Sequence, residues 1–143
     1  MTKKYELLEI YTDGGSRGNP GPAGVGVYAC SAGEEVFTVS ETIGVTTNNV
    51  AEYTAVIRSL EVMLEKKVVA EKIKYILDSQ LIARQITGKY KVKQPHLQVL
   101  RQKIVELVKD LREKEQVSLM TFMTVPREQN KKADALVNEA LDK

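Results

Sequence analysis

The hydrophobic period of this chain changes near Thr47, and that change restricts the fold more than any other feature. Before it, β-branched and apolar residues alternate or run in short stretches at 5–12 (YELLEIYT), 24–30 (GVGVYAC) and 35–43 (EVFTVSETI). Such runs suit strands, and Gly33 marks a tight connection between the last two, so three antiparallel strands are expected. After it, Val50, Tyr53, Val56, Ile57, Leu60, Met63 and Leu64 recur at three- and four-residue spacing, which predicts a one-faced helix to about Lys66. Thr47, Asn48 and Asn49 supply capping side chains for it. Short strands at 72–78 (KIKYILD) and 117–125 (VSLMTFMTV) then alternate with helices. Ser79 caps LIARQITG, which Gly88 stops, and Pro95 opens a helix striped by Leu97, Leu100, Ile104, Leu107, Val108 and Leu111. Residues 130–142 form a last helix with Ala133, Leu136, Val137, Ala140 and Leu141 on one side. A meander followed by strand–helix alternation predicts an α/β architecture, a mixed sheet covered by helices. The 143 residues show no internal repeat and no linker, so a single domain over 1–143 is expected.

Within this frame four acids stand in segments suited to presenting a carboxylate: Asp13 in IYTDGGSRGNPGPAG, Glu52 in TTNNVAEYTAV, Asp78 in KYILDSQLIA and Asp134 in VPREQNKKADALVNEA. Asp13 and Asp78 each end a strand-like run. If those strands are parallel neighbours, both emerge at one sheet edge, where open α/β sheets place ligands. Glu52 and Asp134 can reach that edge from helices packed on the sheet. Singly, each has an ordinary reading as a turn aspartate, a first-turn glutamate, a cap-region residue and a solvated acid. Together they would repel one another strongly unless a cation neutralised them. Two divalent ions about 3.5–4 Å apart would turn the group into a clamp for in-line phosphoryl displacement. Magnesium or manganese suits an all-oxygen set better than zinc, for which the chain lacks a Cys/His ligand set.

Charge distribution sharpens this expectation. The net charge is only +2, but residues 84–114 carry 9 Lys/Arg against 3 Asp/Glu, whereas residues 1–83 carry 8 against 11. A mildly acidic body with one basic stretch can hold metal in one place and a phosphate backbone in another. The lone Cys30 reads as a small buried apolar residue. No apolar run approaches a membrane span and the N-terminus has no signal-peptide pattern, so a cytoplasmic protein is expected, without a membrane partner and working as a monomer.

The motifs YTDGGSRGNPGPAGVGVY, TNNVAEYTAVIRSLE, LDSQLIARQITG and VPREQNKKADALVNEAL, in this order from about Ile10 to Leu141, resemble those of ribonuclease H type 1. The resemblance implies the ribonuclease H-like fold, a five-stranded mixed sheet whose first three strands are antiparallel, flanked by helices. It implies a metal-dependent endoribonuclease that cuts the RNA strand of an RNA–DNA hybrid with two Mg2+ or Mn2+ ions, leaving 5′-phosphate and 3′-hydroxyl ends. Asp13, Glu52, Asp78 and Asp134 match the family's metal-binding carboxylates. Gly14, Gly15 and Asn19 match the loop that contacts the hybrid, Thr47 and Asn49 the segment that contacts the DNA strand, and Ser79 and Gln80 contacts beside the third carboxylate.

Two departures qualify the resemblance. The loop before Asp134 holds Arg127 and no histidine, as in relatives that use arginine there; an arginine holds a phosphate but does not shuttle protons near neutral pH. The sole histidine, His96, stands at a helix start away from the motifs. The long basic, tryptophan-containing protrusion of some members is replaced by the short GKYKVKQ loop, where Lys89, Lys91 and Lys93 offer a reduced grip. Two alternatives follow: a catalytically weak or inactive module that binds hybrid or double-stranded RNA, and a nuclease whose substrates extend to double-stranded RNA. The strand beginning within the first ten residues leads to the expectation of no N-terminal hybrid-binding domain.

Overall fold

Strand β1 (Lys4–Ser16) is the hub of the sheet: it pairs antiparallel with β2 (Gly21–Ser31) and parallel with β4 (Val69–Leu77). In the computed structural model, which describes residues 3–143, β3 (Glu34–Thr46) and β5 (Val117–Thr124) complete a five-stranded mixed sheet of order β3-β2-β1-β4-β5. The first three strands form the expected meander. Between β2 and β3 only Ala32 and Gly33 intervene, at φ 52° and 80°, so both sit in the left-handed region that a two-residue hairpin matching strand twist requires.

Helices α1 (Asn48–Glu65), α2 (Gln80–Ile86), α3 (Pro95–Glu113) and α4 (Lys131–Leu141) follow the predicted pattern. Thr47 caps α1 by accepting from the Val50 amide at 3.3 Å, and Ser79 caps α2 by accepting from the Ile82 amide at 3.2 Å. Helix α1 packs on β1 and β2 and against α3, while α4 packs over β2, β3 and β1. The core between sheet and α1 holds Leu8, Ile10, Tyr53, Leu60, Met63 and Tyr75, all fully buried. Burying a side chain of this size stabilises by about 1.5–3 kcal/mol. The two buried tyrosine hydroxyls are satisfied: Tyr53 donates to Gln85 Oε1 at 2.8 Å, and Tyr75 shares a 2.6 Å hydrogen bond with Ser59. Cys30 is buried, as expected of a small apolar residue. Among the described residues no helix is long and apolar enough to cross a membrane.

One boundary departs from the sequence reading and matters for function. The segment after Asp13 reads as a turn-rich loop because of its glycines and prolines. Instead β1 continues to Ser16, with Asp13 paired to Gly26, Gly14 to Val25 and Gly15 to Gly24. The reason is two-sided. Glycine keeps its N–H, so the antiparallel ladder with β2 runs on, and only residues 17–20 form the loop. On the other side the parallel ladder with β4 stops at Tyr11–Ile76. Asp13 therefore lies inside one ladder and just past the end of the other.

Candidate metal and nucleic-acid site

Register brings the first two acids together. Asp13 on β1 and Asp78 just past the end of β4 each lie two residues beyond the last parallel pair, Tyr11–Ile76. Helix α1 brings the third because Gly14 has no side chain: a Cβ there would collide with the backbone of Ala51 and Glu52. Helix α4 brings the fourth by the same device on the opposite face. A Cβ on Gly26 would collide with the Ala133 carbonyl and the Val137 amide, so α4 rests directly on β2 and Asp134 comes beside Asp13. One carboxylate oxygen from each of Asp13, Glu52 and Asp78 lies within 4.8 Å of the others. Asp134 stands at the edge of this threesome, half turned to Arg127, whose Nη2 is 3.6 Å from its Oδ1.

The electrostatics follow from burial and crowding. Burial, then the charges of Asp78, Glu52 and Asp134, push the Asp13 carboxyl up to about 8. Burial and then Asp78 push Glu52 up to about 7, against a hydrogen bond from Ser79 and the charge of Arg127. Four acids in this setting cannot all be ionised near neutral pH without added positive charge. The donor set is all oxygen and mutually close, which fits Mg2+ or Mn2+ and offers no soft ligand to zinc.

The acids line a cleft of about 570 Å³ together with Gly14, Gly15, Ser16, Arg17, Asn48, Ser79 and Arg127. Of the remaining residues singled out in the sequence, Asn19 anchors the rim, its Oδ1 accepting from the Asn48 amide at 3.1 Å. Thr47 spends its hydroxyl oxygen on the α1 cap. Gln80 is exposed at the start of α2 and does not line the cleft. Asn49 faces a neighbouring hollow with Lys89, Tyr90, Lys91, Lys93 and Gln94. A larger groove of about 690 Å³ between α3 and β5, lined by Ile104, Val108, Met120 and Phe122 among others, lies apart from the acids.

Two residues in this arrangement escape sequence reasoning. Asn130 is 1% exposed, and its amide donates to the Thr12 carbonyl at 2.9 Å and to Asp78 Oδ2 at 3.1 Å. It fixes the Asp78 carboxylate from the far end of the chain, while its own Oδ1 and the Thr12 hydroxyl are buried without partners among the described residues. Its only signal was position, at the N-cap of α4, where asparagine usually caps the helix; here its side chain makes no cap bond. Asn48 Oδ1 accepts from both the amide and the hydroxyl of Ser16, at 2.9 and 3.1 Å, tying β1 to the start of α1.

Comparison with known proteins agrees with this geometry. A sequence model of the RNase H family matches residues 5–142. The chain belongs to the RNase H family. It is 41% identical over 136 residues to ribonuclease HI of Halobacterium salinarum, covering 94% of this chain and 64% of that protein. It is 38% identical over 135 residues to a bifunctional protein of Mycobacterium tuberculosis, of which it spans 35%. This RNase H chain thus covers about a third to two thirds of the length of these curated relatives. Its fold superposes on the H. salinarum RNase H1 crystal structure with a TM-score of 0.84 at 39% identity, covering 95% of this chain and 98% of that one. It superposes on LC11-RNase H1, crystallised in complex with an RNA/DNA hybrid, with a TM-score of 0.83 at 47% identity, covering 94% and 96%.

Proposed function

We propose that this chain is an endoribonuclease that hydrolyses the RNA strand of RNA–DNA hybrids, leaving 5′-phosphate and 3′-hydroxyl ends. The observation that carries the proposal is the convergence of Asp13, Glu52 and Asp78 within 4.8 Å, with Asp134 beside them, in a chain of the RNase H family. Two Mg2+ or Mn2+ ions held by these four carboxylates would activate the attacking water and stabilise the leaving 3′ oxygen.

The rest of the work falls to the chain itself. Asn130 holds the Asp78 side chain in an orientation suited to a metal ligand. Gly15 leaves open space, since a Cβ there would meet nothing nearer than Asn48 and Val137 at 4.0 Å, and this lets a ribose approach the backbone. Ser79 and Asn19 offer polar contacts at the rim, where the 2′-hydroxyls of RNA can be read. Arg127 is exposed beside Asp134 and holds a phosphate without carrying a proton. The hollow with Asn49, Lys89, Tyr90, Lys91 and Lys93 takes the backbone of the DNA strand, in place of a longer basic protrusion. That a homologous RNase H1 has been crystallised with an RNA/DNA hybrid supports this substrate class.

The test is a labelled RNA–DNA hybrid incubated with the purified protein in Mg2+ or Mn2+, alongside double-stranded RNA of the same sequence. RNA fragments with the stated ends, lost in Asp13→Asn, are expected. Hybrid bound but uncut in either metal would instead support the binding-module reading. Equal cleavage of both duplexes would widen the substrate class.

A further inference from the structure

We propose that Arg17 is a phosphate-binding residue of the carboxylate cleft, held in reserve by Asp142. The proposal deepens the hybrid-nuclease reading and rests on it. Between Asp13 and Glu34, Arg17 is the only charged residue. It opens the four-residue loop joining β1 to β2, and its backbone is pinned there by the Arg17 amide donating to the Pro22 carbonyl at 2.8 Å. The neighbouring loop positions are fixed on the start of α1, through Ser16 on Asn48 and Asn48 on Asn19. The Arg17 side chain reaches across the cleft to the C-terminal end of α4. There Nη2 lies 2.6 Å from Asp142 Oδ1 and Nη1 lies 3.5 Å from the Leu141 carbonyl.

Helix α4 therefore presents two acids to two arginines: Asp134 to Arg127 at 3.6 Å and Asp142 to Arg17 at 2.6 Å. The acids are eight residues apart, about 12 Å along a helix. Both arginines line the cleft that holds Asp13, Glu52 and Asp78. Asp134 has a second role beside Asp13, but Asp142 lies outside the carboxylate group. Nor does helix stability account for it, because an acid at a helix C-terminus opposes the dipole. The Arg17–Asp142 pair is half exposed on the arginine side and more so on the aspartate side, at 48% and 64%, so it adds little to stability and opens readily. A phosphate offers the guanidinium two parallel acceptors and competes well for it. Arg127 and Arg17 would then hold the same strand on either side of the reacting phosphate.

A merely structural latch predicts that breaking either end has the same effect, whereas a reserve phosphate ligand predicts opposite effects. The experiment is steady-state hydrolysis of an RNA–DNA hybrid in Mg2+ at several salt concentrations, by wild type, Arg17→Ala, Arg17→Lys and Asp142→Asn. Arg17→Ala should raise KM about fivefold with little change in kcat, as expected for one exposed charged contact. It should also flatten the salt dependence by about one unit of log–log slope, which Arg17→Lys should keep. Asp142→Asn should lower KM. If both Arg17→Ala and Asp142→Asn raise KM, or if Arg17→Ala leaves KM and slope at wild-type values, the inference is overturned while the nuclease reading stands. A wild-type protein that cuts no hybrid overturns both.

Discussion

The Ala133 carbonyl of α4 occupies the space into which a side chain on Gly26 of β2 would point. That contact sets the height of α4 above the sheet, and with it the place of Asp134, one residue further along. Gly14 does the same for α1 and Glu52 on the opposite face. Two glycines thus determine how two helix-borne acids meet two strand-borne ones.

Gly26→Ala and Gly14→Ala should each destabilise by about 1–3 kcal/mol, as overpacking does. Each should also reduce hybrid cleavage at least tenfold under conditions where the protein is still folded, because a shift of about 1 Å in a catalytic group carries a cost of that order or more. Gly15→Ala is the control: it has room for a Cβ and should melt close to wild type, with any effect confined to KM. Thermal melts paired with kcat and KM for the three variants check this.

Asn130→Ala removes the side chain that links Asp78 to the Thr12 carbonyl, and should loosen metal binding rather than the fold as a whole. Loss of an orienting partner of a ligand typically weakens metal affinity about 10–100-fold. The Mg2+ concentration giving half-maximal activity should rise by that order, while activity at saturating Mg2+ recovers in large part. An unchanged metal requirement would remove Asn130 from the account.

The metal-free protein should become less stable as pH rises. The Asp13 and Glu52 carboxyls stand at about 8 and about 7 in the fold, above their ordinary 3.8 and 4.5. Between those values the folded state binds more protons than the unfolded chain, so their contribution to stability is full below about pH 4 and is lost as pH rises through 7 to 8. Melting in EDTA should therefore fall from pH 5 to pH 8, and Mg2+ should restore more of the Tm at pH 8 than at pH 5. Asp13→Asn should flatten the metal-free pH dependence and raise Tm at pH 8 by roughly 5 °C, equivalent to about 1–2 kcal/mol, while abolishing cleavage.

Arg127→Ala should lower hybrid cleavage about tenfold, and Arg127→Lys should retain an intermediate level, since the lysine keeps the charge but not the fork of donors. Neither change should add or remove an ionisation from the pH–rate profile between pH 6 and 9. A titration near neutrality that disappears with Arg127 would contradict its role as a phosphate holder.

Much of this was legible in the chain because it lay in periodicity. The stripe from Val50 to Leu64 marks α1, and the alternation before Ile43 marks the meander. The strand-borne acids could be aligned as soon as β1 and β4 were taken as parallel neighbours. What local pattern could not convey was why the glycines are there. Gly14 and Gly15 read as loop formers, yet they lie in paired strands, and Gly14 and Gly26 are needed for helices that approach from elsewhere in the chain. Asn130 was hidden for a similar reason: its partners, Thr12 and Asp78, lie 118 and 52 residues away, and only the fold joins them. Arg17 met Asp142 across 125 residues, at the two ends of the chain's pattern, where no spacing rule applies.

The most direct test of the central claim is a crystal structure of the protein grown with Mn2+ and a hybrid, using Asp134→Asn to slow cleavage. The account predicts anomalous density for two ions among Asp13, Glu52 and Asp78, with the RNA strand's phosphate against them and Asn130 still donating to Asp78. A cleft that holds the hybrid with no ion bound by Asp13 would contradict it.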